Sequence, residues 1–158
     1  MYEVGDMVCY PMHGAGIIVD IEKKNILGKS EEYFVVKIPI GAMKVMIPVK
    51  NADKRGIRSI IEKEKLKDVV EVLKEEPTKM STNWNKRVRD NTAILKEGDI
   101  FEVAKVYRNL KSLDDKRNLS TGEKKILHDT KNILMSEMIL SSGKSYEEID
   151  KIIYEAVE

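Results

Sequence analysis

The sequence predicts an α+β protein in which a small antiparallel β-barrel of the SH3 or Tudor type precedes a compact all-helical domain of about five helices. Three observations carry that prediction. The apolar pattern changes from strand-like runs to a three-and-four spacing at about residue 50. Tight-turn signals divide the part before that point into short segments. In the part after it, Ser120 with Glu123 and Ser145 with Glu148 each form a capping pattern ahead of an apolar stripe. The predicted division falls between residues 1–51 and 52–158.

The strands come first. DMVCYP (6–11) lies between Gly5 and the turn-rich PMHGAG. GIIVDIEKKNI (16–26) begins as a buried run and continues as polar alternation. EYFVVKIPI (32–40) and MKVMIPV (43–49) are β-branched and apolar, with turn signals at Leu27-Gly28-Lys29 and Ile40-Gly41-Ala42. Four or five such strands with short connections suit a small barrel or a strongly bent sheet.

Helical spacing follows. Ile57, Ile60, Ile61, Leu66, Val69, Val70 and Leu73 predict one helical region, ended by Pro77. Thr82 is placed to cap a second helix running to about Leu95, with Trp84 in its first turn. A third starts at Gly98-Asp99 and carries Ile100, Val103, Ala104, Tyr107 and Leu110 on one face. The Ser120 box opens a fourth, which stops near Gly143, and the Ser145 box opens a fifth.

Composition removes several function classes. With 42% hydrophobic and 35% charged residues in 158, the chain can build a core as one domain or two small ones. A net charge of +1 means that nucleic-acid affinity has to come from a local basic patch. Cys9 is the only cysteine, which excludes an internal disulfide and a cysteine-rich zinc site. No signal peptide or membrane-length apolar run is visible, so the expectation is a soluble, cytoplasmic protein. Gly-Lys-Ser occurs at 28–30 and 143–145, but a phosphate loop needs a glycine five residues upstream, where Lys23 and Met138 stand. His13 and His128 fall in different predicted domains without cysteine partners, and no nucleophile sits beside a base. The expectation is a protein with no enzymatic activity, cofactor or metal.

The strongest functional signal surrounds the only tryptophan. In STNWNKRVRDN (81–91), Trp84 has Asn83, Asn85, Lys86, Arg87 and Arg89 as neighbours, with Lys79 just upstream. Lys124 and Lys125 lie in the first turn of the Ser120 helix, where free backbone amides suit phosphate oxygens. Trp84 can staple its helix to the core, since Val88 and Leu95 follow at helical spacing, and the cations then form a solvated face. Alternatively, amides and arginines around an aromatic plate suit a minor-groove reader. The residues by themselves leave both open.

The chain resembles the CarD/CdnL family of bacterial transcription regulators in VGDMVCYPMHGAG (4–16), PVKNADKRGIR (48–58), TNWNKR (82–87) and LSTGEKKIL (119–127). The resemblance covers essentially the whole length. It implies an N-terminal Tudor-like domain, shared with the transcription-repair coupling factor, that docks on the RNA polymerase β subunit. It also implies a helical domain that touches promoter DNA at the upstream edge of the melted −10 region and stabilises the open complex. By that resemblance Trp84 is the wedge, with Lys86, Arg87, Arg89 and Lys124 as its DNA-contacting cations. Lys24, Ile26 and Met46 fall on the polymerase-facing surface; some relatives have arginine at the Met46 position, where methionine offers apolar reach without charge. The DNA contact is expected to be largely independent of sequence, and the protein to be a monomer.

Overall fold

The computed structural model describes residues 2–158. Five strands, β1 (Met7–Tyr10), β2 (Gly14–Ile26), β3 (Lys29–Lys37), β4 (Lys44–Pro48) and β5 (Arg58–Ser59), pair antiparallel in the order β4-β3-β2-β1-β5. Leu27 (φ 52°) and Gly28 (φ 77°) make the two-residue turn between β2 and β3. Positive φ at both positions is what a type I′ hairpin requires, and glycine accepts it without a Cβ clash. A register shift between Ile18 and Asp20 marks a bulge in β2, which adds local twist. Beyond it, residues 19–26 stand in solvent, so the β2–β3 ribbon projects from the body of the protein.

The sheet does not close into the expected barrel. Its edges are β4 and β5, and β5 offers β1 only two residue pairs, Val8↔Ser59 and Cys9↔Arg58. Closure needs a ladder continued around the whole circumference, and among the described residues no pairing joins the edge strands β4 and β5. The α+β class stands. Val8, Ile18, Phe34, Val36 and Ile47 form the sheet's own core, joined by Ala52 and Ile57.

The helices are α1 (Leu66–Lys74), α2 (Trp84–Glu97), α3 (Ile100–Lys116), α4 (Thr121–Ser142) and α5 (Tyr146–Val157). Asn83, Asp99, Ser120 and Ser145 cap the last four with their side-chain oxygens. Asn83 does what was expected of Thr82, because its side chain reaches the amide of Lys86 three residues on. Gly143 ends α4 in the left-handed conformation (φ 75°), so the second Gly-Lys-Ser is a helix boundary. Val69, Leu73, Val103, Leu134, Met138 and Ile153 are among the buried residues of the shared helical core.

The helix expected from Ile57 starts later. Residues 58–59 are strand β5, and α1 begins only at Leu66. Ile57 joins the sheet's core while Ile61 packs against the helical one, so the three-and-four spacing there reflects two cores meeting. Sheet pairing thus runs past Asn51, the predicted division.

Sheet and helices are fastened together. Arg58 on β5 gives two parallel hydrogen bonds to Glu137 on α4, at 2.7 and 2.8 Å, and two more to the carbonyl of Gly98. Glu137 also accepts the amide of Ile61. Gly14 comes so close to α4 that an added Cβ would lie 2.7 Å from Ser136 Oγ, the atom that accepts the amide of Ala15. Among the described residues no helix is long and apolar enough to cross a membrane.

Candidate nucleic-acid interface

Trp84 is the first residue of α2 and is 47% exposed, far from the core position a staple would take. Its indole N–H donates to Ser120 Oγ at 2.7 Å. Ser120 is the cap of α4, and the same oxygen accepts the amide of Glu123 at 3.3 Å. A hydroxyl oxygen has two lone pairs, and this one serves two donors. The bond sets the first turns of α2 and α4 side by side, with the positive ends of both helix dipoles in one region.

Arg87 does not lie with the other cations. It is 6% exposed, its Nε donates to Glu123 Oε2 at 3.0 Å, and its Nη2 is bound to the second carboxylate oxygen. Its Nη1 caps the carbonyl of Ser81. The physical reason is helical phase: Arg87, Asn91 and Leu95 are spaced by four and form the buried stripe of α2. Glu123, expected to complete a capping box at Ser120, instead turns its carboxylate to Arg87, and only the serine half of that box forms. The Ser145–Glu148 box forms in full.

The other cations face solvent. Lys86 is exposed and lies 3.1 Å from Asp90 one turn along. Arg89 and Lys124 are exposed. The first turn of α2 carries no acidic residue, and the one acid in the first turn of α4 is Glu123, which Arg87 neutralises. The two helix starts joined by Trp84 and Ser120 therefore carry Lys86, Arg89 and Lys124 at solvent-facing positions, with Asp90 beside Lys86. Ser120 is the participant that sequence reasoning left unassigned; its cap pattern is visible in the sequence, but its tryptophan partner 36 residues away is not.

Lys24, Ile26 and Met46 are elsewhere, on the sheet. Lys24 faces Glu31 across the ribbon, Ile26 faces Lys29, and Met46 pairs with Val35. Alternation along β3 puts all three on one face, opposite Phe34, Val36 and Ile47. Ile26 is 51% exposed. His13 stacks on Tyr10 and His128 contacts Asn132, so the histidines have separate local roles.

Comparison with known proteins matches both halves. Residues 2–61 match the family model described as CarD-like/TRCF RID domain, and residues 68–154 match CarD, C-terminal domain. The chain is also similar to the Bacillus subtilis (strain 168) protein named "Putative transcription factor YdeB", with 34% identity over 149 residues, covering 94% of this chain and 97% of that one.

Proposed function

The chain belongs to the CarD family, and from that premise we propose that it is a transcription regulator without catalytic activity, docking on RNA polymerase and stabilising the open promoter complex. The sheet face carrying Lys24, Ile26 and Met46 docks on the β subunit. The surface of Trp84, Lys86, Arg89 and Lys124 meets the minor groove at the upstream edge of the melted −10 region. The observation that carries this reading is Trp84 itself: a half-exposed indole, hydrogen-bonded at its N–H edge to the cap of a second helix, with exposed cations along both helices.

Opening a base step costs a few kcal/mol, and at a bubble edge that cost has already been met. An aromatic plate recovers about 1–3 kcal/mol by stacking there. Because the stacking surface exists only after melting, the gain belongs to the open state alone and shifts the closed–open equilibrium. About 1.4 kcal/mol is a tenfold shift. The cations hold the protein on phosphates without reading sequence. It acts as a monomer, one wedge at each bubble.

The test is open-complex lifetime on a defined promoter, with the protein, without it, and with Trp84→Ala. Lifetimes should lengthen with the wild type, and Trp84→Ala should shorten them by about five- to 150-fold, the span of about 1–3 kcal/mol of lost stacking. Undiminished lifetimes with a folded Trp84→Ala protein would overturn the reading.

A further inference from the structure

We propose that Ser120 is a positioning residue for Trp84, and that the buried Arg87–Glu123 pair keeps the two helix starts in the register this requires. The proposal rests on the reading that Trp84 meets DNA. Two links join α2 to α4. Trp84 meets Ser120 and Arg87 meets Glu123, each pair separated by 36 residues, with partners three apart on both helices. Three residues are close to one helical turn, so the links form successive rungs between neighbouring helix faces.

An exposed indole at a helix start has torsional freedom about both side-chain bonds, and only some of its orientations can enter a base step. The 2.7 Å bond from the indole N–H to Ser120 Oγ selects one. Ser120 is held in turn, because its oxygen accepts the amide of Glu123 and its backbone starts α4. Glu123 is itself fixed by Arg87, which emerges one turn along α2 from Trp84. The loop closes on the helix that carries the wedge. Arg87 therefore acts through geometry, and its guanidinium is enclosed where DNA cannot reach it.

Trp84 is the only tryptophan, so the protein's indole fluorescence reports on this one side chain. Ser120→Ala removes the indole's acceptor but also the helix cap. Ser120→Gly removes the same acceptor while costing only a few tenths of a kcal/mol in capping, and Ser120→Thr keeps both oxygen roles. Ser145→Ala removes a comparable cap from α5, away from the wedge.

The expected result for Ser120→Gly and Ser120→Ala is faster local depolarisation of Trp84 and an open-complex lifetime shortened about two- to tenfold, the span of one neutral hydrogen bond. Ser120→Thr should restore both readouts, and Ser145→Ala should change neither. If Trp84→Ala shortens the lifetime while Ser120→Gly leaves it at the wild-type value, the positioning role is overturned and the wedge survives. If Trp84→Ala leaves the lifetime unchanged, the DNA reading fails and this proposal fails with it. Equal losses in Ser120→Gly and Ser145→Ala would reduce Ser120 to a helix cap.

Discussion

Arg58 and Glu137 face one another across the junction of sheet and helices, joined by two parallel hydrogen bonds of 2.7 and 2.8 Å. Glu137 is 1% exposed, and its carboxylate also takes the amide of Ile61. Together with the contacts at Gly98 and Ser136, this pair fixes how the sheet face of Lys24, Ile26 and Met46 is oriented to the helix starts beside Trp84. Glu137→Ala leaves the amide of Ile61 without its acceptor and the Arg58 guanidinium with only the backbone carbonyls of Gly98 and Ser59. The expected loss is about 3 kcal/mol, the low end for a broken buried pair because part of Arg58 reaches solvent. Urea denaturation measures it, and a loss below about 1 kcal/mol would show that the junction holds without this pair.

Arg87 and Arg89 are two positions apart and should behave oppositely. Arg87→Ala strands the buried Glu123 carboxylate and should lower stability by about 3–5 kcal/mol. Arg89→Ala, at an exposed position, should change stability by no more than about 0.5 kcal/mol while weakening DNA binding. Thermal melts beside DNA titrations separate the two. A stable Arg87→Ala protein with weakened DNA binding would restore Arg87 to the contact surface.

Salt dependence counts the contacts. With Arg87 enclosed, Lys86, Arg89 and Lys124 should give a log–log slope of about −3, at roughly −0.9 for each neutralised phosphate. Lys124→Ala should lower its magnitude by about one unit without changing sequence preference. A titration series in salt reads both, and an unchanged slope places Lys124 off the DNA.

On the sheet, Lys24→Glu should weaken co-purification with polymerase and leave the fold intact. It puts a carboxylate directly opposite Glu31, a like-charge cross-strand pair costing at most about 1 kcal/mol on a solvated ribbon. The melting temperature therefore checks folding in the same experiment. Wild-type co-purification would remove Lys24 from the docking face.

Cys9 makes the junction sensitive to alkali. Burial, with the Glu137 carboxylate beside it, pushes its thiol from the ordinary 9.0 up to about 12. The unfolded chain releases this proton first as pH rises. Stability tied to Cys9 is thus whole below about pH 9 and is lost as pH approaches 12, by up to about 1.4 kcal/mol per pH unit. Wild type and Cys9→Ala, compared by denaturation across that range, should diverge in slope, the wild type falling more steeply. Parallel curves would mean that the thiol ionises as readily in the fold as out of it.

Short-range rules determined much of this protein. A cap and the amide it serves are three residues apart, and strand alternation has a period of two, so both are written in contiguous sequence. The capped helices α3, α4 and α5, the hairpin at Leu27-Gly28 and the four longer strands were legible for that reason. The anomaly of Trp84 was legible too, as a large apolar side chain among amides and cations. The tertiary structure decided which polar side chains meet. Helical phase with Asn91 and Leu95 sets Arg87 apart from Arg89, but nothing local shows that this stripe is buried or marks Glu123 as Arg87's partner instead of Ser120's. Those choices follow from helix phase and from the approach of segments 36 residues apart at the cationic surface and 79 apart at the junction. The fifth strand was decided in the same way, because Arg58 and Ser59 leave the helical pattern to pair with β1, and Arg58 reaches Glu137 from there. A buried charge is tolerated only beside its counter-charge, and that juxtaposition exists only once the chain is folded.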